Sequence, residues 1–339
     1  TMSVQYVCSR PFDWLEIHDD GSAFVCCPAW LRRPVGNLLA TPWRQVWNSA
    51  VAVELRKTVI NGSLHNCSAR RCPFLAAIKP PVFTADQCGD ARLFDAIQQK
   101  NTCLQHGPRT LNLSFDPRCN LTCPSCRQQP HNPDQAALAN IDRLVQLVVD
   151  ELAPDVEELR LSGHGDPFAA AGYRQILARV NATTFPRLQR LHLHSNGLLW
   201  TPQRWAELAH LHPYLTSAEI STDAADAMVY AENRGGDFDV LQENLAFIQT
   251  LPIDLLLSCV VQHNNYRQMT DFVRLAQRFG ARSYFSPLIN WGTWDRAEYL
   301  RRAVHLPHHP DHEAFCVRLA SIVDLPDVDV GALSVALCS

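Results

Sequence analysis

The stretch FDPRCNLTCPSCRQQ, residues 115–129, places Cys119, Cys123 and Cys126 within eight positions and brings no fourth cysteine near. Four thiolates would close a tetrahedral metal site. Three leave a coordination position open, and on a four-iron cube that frees one iron to bind a small chelating molecule. A zinc ion would need a fourth ligand, yet Cys103 stands before the preceding apolar run and His131 follows a proline. A second group of thiols, Cys8, Cys26, Cys27, Cys67 and Cys72, lies in the first 75 residues.

Thirteen cysteines in 339 residues are poorly explained as disulfides, because the opening TMSVQYVCSRPF lacks the basic and apolar regions of a secretion signal. Reduced thiols serving metal or redox chemistry in a cytoplasmic protein are the expectation. No apolar run reaches the roughly 18 to 20 residues that span a bilayer. A formal charge of −4 gives no reason to expect nucleic acid or an anionic membrane as partner.

The elements that must position the three-cysteine loop begin at Thr110. TLNLSFD precedes the helix-like DQAALANIDRLVQLVVDEL; VEELRLSG leads into AGYRQILARV, LQRLHLHS into TPQRWAELAHL, and SAEISTD into DFDVLQENLAFIQT. IDLLLSCVVQ then leads into YRQMTDFVRLAQRFG, and ARSYFSPL comes last. Six units of this kind predict parallel strands with right-handed crossovers. The first four strands alternate in polarity. One face carries Leu111, Leu113, Leu159, Leu161, Leu191, Leu193, Ala218 and Ile220; the other carries Asn112, Ser114, Arg160, Ser162, His192, His194, Glu219 and Ser221. The apolar face belongs under the helices, and the polar one needs partners or a ligand. A closed eight-strand barrel fills its interior with branched side chains. The expectation is therefore an α/β fold, a partial (β/α)6 TIM-like barrel of parallel strands around a wet or ligand-filled cavity. A sheet with one solvated face is the other reading. The domain reading places a small cysteine-rich module at 1–75, a linker with one short helix at 76–108, the partial barrel at 109–288, and a C-terminal capping segment at 289–339 whose Trp291 and Trp294 would close the cavity.

The CxxxCxxC spacing directly after a strand, with Asn120 and Leu121 inside it, resembles the cluster loop of the radical S-adenosylmethionine (SAM) superfamily. That resemblance implies a [4Fe-4S] cluster held by Cys119, Cys123 and Cys126, whose open iron takes the amino and carboxylate groups of SAM. It also implies a reductant such as flavodoxin or ferredoxin, and a 5′-deoxyadenosyl radical that abstracts hydrogen from substrate. SGHGDPF resembles the superfamily's Gly-Gly-Glu turn, with Gly165 and Asp166 in the last two positions and Asp166 accepting from the SAM ammonium. His164 and the Asp for Glu depart from that pattern. HSNG resembles the turn after strand three and puts Asn196 near the SAM carboxylate or the cluster. ISTDAADAMVYAENRGG resembles the stretch after strand four, which implies Ser221 at the ribose or carboxylate and Arg234 paired with the carboxylate. VVQHNN resembles the segment flanking adenine, with Gln262 and Asn264 as contacts.

Cys8, twelve residues, Gly21, four residues and Cys26 fit the C-x(9–15)-G-x4-C pattern of SPASM and twitch modules, and residues 8–73 follow that module's order. The resemblance implies an auxiliary [4Fe-4S] cluster on Cys8, Cys26, Cys67 and Cys72; the glycine spacing favours Cys26 over Cys27. A four-cysteine zinc site is the other reading. The module usually follows the barrel, so its place ahead of it is a departure.

Cys259, on the fifth strand, reads either as buried core or as a thiol returning hydrogen to a substrate radical. Asn112, Arg160, His192, His194 and Glu219 read as substrate contacts or as a structural hydrogen-bond network. HLPHHPDHEAF, broken by prolines, reads as solvent-exposed loop. The function expected is abstraction of a C–H hydrogen from a peptide or protein residue or a natural-product intermediate, giving oxidation, cross-linking or epimerisation. Dehydrogenation or epimerisation of a sugar-like small molecule is the alternative, and a non-enzymatic iron–sulfur redox or sensing protein the remote one. No separate leader-recognition domain is expected ahead of the module, which disfavours a leader-guided peptide.

Overall fold

The computed structural model describes residues 6–69, 71–84, 87–161 and 164–338. Ser162, read above as a polar-face residue, lies outside them. Twelve strands are assigned among the described residues. They are β1 (Tyr6–Cys8), β2 (Trp14–His18), β3 (Ser22–Phe24), β4 (Gly36–Asn37), β5 (Val82–Thr84), β6 (Thr110–Ser114), β7 (Glu158–Leu161), β8 (Arg190–Ser195), β9 (Leu215–Ser221), β10 (Asp254–Val261), β11 (Arg282–Pro287) and β12 (Val328–Asp329). No helix among these residues is long and apolar enough to cross a membrane. Two compact units emerge: Thr1–Asp116 with Pro133–His164 and Gln175–Arg190, and Pro117–Asn132 with Gly165–Arg174 and Leu191–Ser339.

In the first unit β2 pairs antiparallel with β3 and β3 with β4, while β6 pairs parallel with β7. The module is also stitched to the first expected barrel strand. β2 runs parallel to β6 with Trp14 opposite Thr110, Glu16 opposite Asn112 and His18 opposite Ser114. Glu16 thus shares a row with Asn112 and Arg160, and the polar face gains a strand that the repeat of strand and helix did not announce. Arg56 anchors this unit. Its fully buried guanidinium donates to the carbonyls of Pro11, Trp47 and Thr102 and to Asn48 Oδ1, and lies 4.5 Å over the Trp47 ring.

In the second unit β8, β9, β10, β11 and β12 are parallel neighbours in that order. Helices follow these strands at Pro202–Glu207, Phe238–Ile248 and Met269–Arg278. The α/β class and its parallel strands are as read from the sequence. All eight residues assigned to the apolar face are 0% exposed, so the alternation found the core correctly. At about 1.5 to 3 kcal/mol for each buried leucine or isoleucine, these layers are the main fixed scaffold under the loops.

Candidate iron–sulfur and SAM site

The three-cysteine loop lies wholly in the second unit. A turn at its end hydrogen-bonds the amides of Cys126 and Arg127 to the Cys123 carbonyl, at 2.9 and 3.0 Å. Leu121, 8% exposed, packs inward as the loop's apolar pin, and its N–H donates to Cys119 Sγ at 3.4 Å. Cys123 is buried and Cys126 exposed. The two thiols act on each other, so that Cys126 is pulled down and Cys123 pushed up, and Arg234's charge also favours the Cys126 thiolate.

Two further strand ends meet this loop. Gly165 turns with φ +84°, and Asp166 N–H donates to the Arg118 carbonyl at 3.0 Å, tying the second turn to the residue before Cys119. After β8, Gly197 adopts φ +79°, and a Cβ there would meet Leu241 at 2.8 Å, so only glycine fits. The turn presents Asn196, whose Nδ2 donates to Asn120 Oδ1 at 2.8 Å and to Cys119 Sγ at 3.5 Å.

After β9 the helix Ala227–Arg234 is started by Asp226, whose side chain accepts from Val229 N–H, and ended by Gly235 at φ +72°. Arg234 therefore sits in the last turn. Cys123 Sγ donates to its carbonyl at 3.5 Å, and its Nη1 donates to Asp223 Oδ2 at 3.0 Å. Asp223 organises its surroundings. Its Oδ1 accepts from Val260 N–H, and its carbonyl accepts from the side chains of Asn233 and Asn265. Asn264 donates to Asn233 Oδ1, and Gln262 N–H donates to Asn265 Oδ1. Within this network Arg234 Nε, Gln262 Oε1 and Asn264 Oδ1 are buried without a protein partner. Such atoms cost stability unless something pairs with them.

The polar row of the second unit is paired sideways across β8 and β9. His192 Nδ1 lies 2.8 Å from Ser217 Oγ, and His194 Nε2 lies 2.7 Å from Ser221 Oγ and 3.5 Å from Glu219. In the first unit Arg160 donates to Glu158 at 2.8 Å and its guanidinium lies 5.9 Å over the Trp14 ring; Asn112 is buried. Cys259 lies among apolar side chains. The register sets it beside Phe285 and in step with Leu255, Leu257 and Val261 on the apolar face, 2% exposed, so it faces away from the polar row. The histidine-rich segment also differs from the expected loop. His312 opens the helix His312–Ala320, and burial together with the charges of His312 and His309 pushes His305 down to about 4. Trp291, expected to close a cavity, is 60% exposed; its neighbour Thr293 is the buried one, bonded through its carbonyl to Gln128 and through Oγ1 to Ser125 of the cysteine loop.

In the first unit Cys8, Cys26, Cys67 and Cys72 line one pocket with Arg10, Trp30 and Phe74. Trp30 Nε1 donates to Cys26 Sγ at 3.1 Å, and the Arg10 guanidinium is caged by the rings of Trp14, Trp30 and Phe74 at 4.2 to 5.8 Å. Cys27 falls outside the pocket lining and faces Glu16; burial and that carboxylate push it up to about 12. Burial, and then the charges of Cys26 and Cys72, push Cys67 up to about 11. Several thiolates in one apolar pocket need a cationic centre, which an iron–sulfur cluster supplies. Among the described residues no three cysteine, histidine or carboxylate side chains gather closely enough to share a single ion.

Residues 8–73 match SPASM, described as an iron–sulfur cluster-binding domain. Among curated proteins the chain is 34% identical over 131 residues to a GTP 3′,8-cyclase of Synechococcus sp. (strain WH7803), covering 37% of this chain and 36% of that protein. It is 21% identical over 173 residues to a probable GTP 3′,8-cyclase of Methanococcus aeolicus, covering 51% and 56%. The chain thus spans about a third to a half of these relatives' length. Among solved structures, Streptococcus suis SuiB bound to its precursor peptide SuiA superposes with a TM-score of 0.42 at 13% identity, over 84% of this chain and 64% of that one. Residues 8–73 are therefore an iron–sulfur cluster-binding SPASM module, the curated matches are GTP 3′,8-cyclases, and [4Fe-4S] clusters with S-adenosylmethionine are the cofactors these likenesses support.

Proposed function

We propose that this protein reductively cleaves SAM and abstracts a C–H hydrogen from a peptide or protein residue or a natural-product intermediate, with oxidation, cross-linking or epimerisation as the outcome. The observation that carries the reading is the convergence of three partnerless buried atoms, Arg234 Nε, Gln262 Oε1 and Asn264 Oδ1, on the network that touches Cys123. A ligand bearing a carboxylate, an amine and a heterocycle would complete them.

In this reading Cys119, Cys123 and Cys126 hold the open cluster, and Cys8, Cys26, Cys67 and Cys72 the auxiliary one. When bound, SAM and a reduced cluster supply a 5′-deoxyadenosyl radical. Arg234 holds the SAM carboxylate through its free Nε while Asp223 fixes its other end. Gly165 allows close backbone approach, and Gln262 and Asn264 border the adenine. Ser221, shared with His194, faces the ribose. Asn112 and Arg160 of the first unit, whose row Glu16 shares, and His192, His194 and Glu219 of the second are the substrate contacts of this reading. The electron donor is a low-potential protein such as flavodoxin or ferredoxin. A sugar-like small molecule is the second reading, supported by the GTP named for the relatives, since GTP carries a ribose.

Under anaerobic conditions with dithionite, the reconstituted protein should convert SAM to 5′-deoxyadenosine and methionine, and Cys123→Ala should not. Turnover surviving in Cys123→Ala, or none in the native protein, would sink the proposal.

A further inference from the structure

Asp166 is engaged before any ligand arrives. Its carboxylate is 1% exposed and accepts three hydrogen bonds: Oδ2 from Ser195 Oγ at 2.8 Å and from Asn196 N–H at 3.0 Å, and Oδ1 from Phe168 N–H at 2.9 Å. Ser195 Oγ in turn accepts from Gly197 N–H at 3.0 Å, so the whole turn after β8 is strung on this one side chain. The residue that the turn delivers is Asn196, whose amide donates to Cys119 Sγ and Asn120 Oδ1. Asp166 N–H reaches the Arg118 carbonyl, one residue from Cys119. The side chain expected to greet the SAM ammonium therefore already has a different task. A buried carboxylate accepting several N–H and O–H bonds is a rigid fixture, and its partners inherit the rigidity.

We propose that Asp166 is a positioning residue: through Ser195 and the Asn196 amide it holds the Asn196 side chain as a hydrogen-bond donor to the Cys119 sulfur, and so sets the reduction potential of the open cluster. The amino group of SAM would be left to the open iron, which it would bind as the neutral amine after losing a proton to solvent, and to neighbouring backbone carbonyls. A donor to a ligating sulfur favours the reduced, more negative cluster and raises its potential. This inference rests on the radical SAM reading above.

The test uses anaerobically reconstituted full chain, without SAM, poised at a fixed potential and read by electron paramagnetic resonance, with SAM affinity measured separately by equilibrium binding. Asp166→Asn places an NH2 against either the Phe168 amide or the Ser195 and Asn196 donors and removes the carboxylate's charge, and Asn196→Ala deletes the donor to sulfur. Each should lower the ratio of reduced to oxidised open cluster by about tenfold, the scale of one hydrogen bond to a charged group. The double variant should fall no further than the larger single effect. Any loss of SAM affinity in Asp166→Asn should not exceed that in Asn196→Ala. An Asp166→Asn protein whose SAM-free ratio is unmoved while SAM binds tenfold more weakly would overturn the proposal, because that is the behaviour of a direct ammonium ligand. Should Asp166→Asn fail to fold, Ser195→Ala and Asn196→Ala carry the test, and an unchanged ratio in both overturns it. A native protein with no SAM-sensitive cluster signal would overturn the radical SAM reading itself, and this inference with it.

Discussion

Arg234 Nη1 donates to Asp223 Oδ2 at 3.0 Å, with Arg234 8% and Asp223 1% exposed. A buried pair of this kind is more costly to break than it is helpful to have, because the survivor keeps an uncompensated charge. Asp223→Asn should therefore destabilise the chain by about 3 to 5 kcal/mol, while Asp223→Asn with Arg234→Met should cost less than the single change. Urea unfolding of the three variants checks this. A double variant worse than the single would mean the pair contributes net stability.

Arg56 gives a second stability test remote from the cysteine loop. Arg56→Met keeps the stem but strips donors from the carbonyls of Pro11, Trp47 and Thr102. A loss of about 3 to 5 kcal/mol is expected in the same assay. A loss under about 1 kcal/mol would mean that water replaces the guanidinium.

Cys26 and Cys27 are adjacent but point to different surroundings, so iron content separates them. The native protein should carry about eight irons, two cubes of four. Cys26→Ala should bring that toward four, and Cys27→Ala should leave it near eight. Equal losses in both variants would mean that the two thiols exchange as ligand.

Acid should weaken the C-terminal segment through His305. Burial, then the charges of His312 and His309, hold its folded value near 4 against 6.5. The unfolded chain binds this proton first as pH falls, so stability declines from about pH 6.5 to about pH 4 and this contribution then levels off. The loss should total about 3 kcal/mol. His305→Gln should flatten that part of the profile, measured as unfolding free energy against pH; an unchanged slope would place the proton elsewhere.

Much of this arrangement was legible because period-two alternation is a strong signal: Leu191 and Leu193 could only face a core, and His192 and His194 could only face away from it. The cysteine spacings were legible for the same reason, since ligand geometry permits few spacings. Three features were hidden. The parallel pairing of β2 with β6 joins residues 96 positions apart, and no local pattern reports a partner strand. Asp223 has a positive φ of 57° and draws its partners from the following helix (Asn233), from β10 (Val260) and from a later turn (Asn265), none of them sequence neighbours. Cys259 lies on a strand whose apolar residues occupy both faces, so its orientation could not be read without the register.

The pairing of β2 with β6 bears on how this chain can be cut. β6 is flanked by β2 on one side and β7 on the other. A chain shortened to begin at residue 76 would keep every expected barrel strand but strip β6 of one neighbour, baring a five-residue edge of unpaired amides and carbonyls beside Leu111 and Leu113. Such an edge recruits strands from other molecules. The cysteine module is thus also the barrel's guard against self-association, and the shortened protein should precipitate for reasons that have nothing to do with iron.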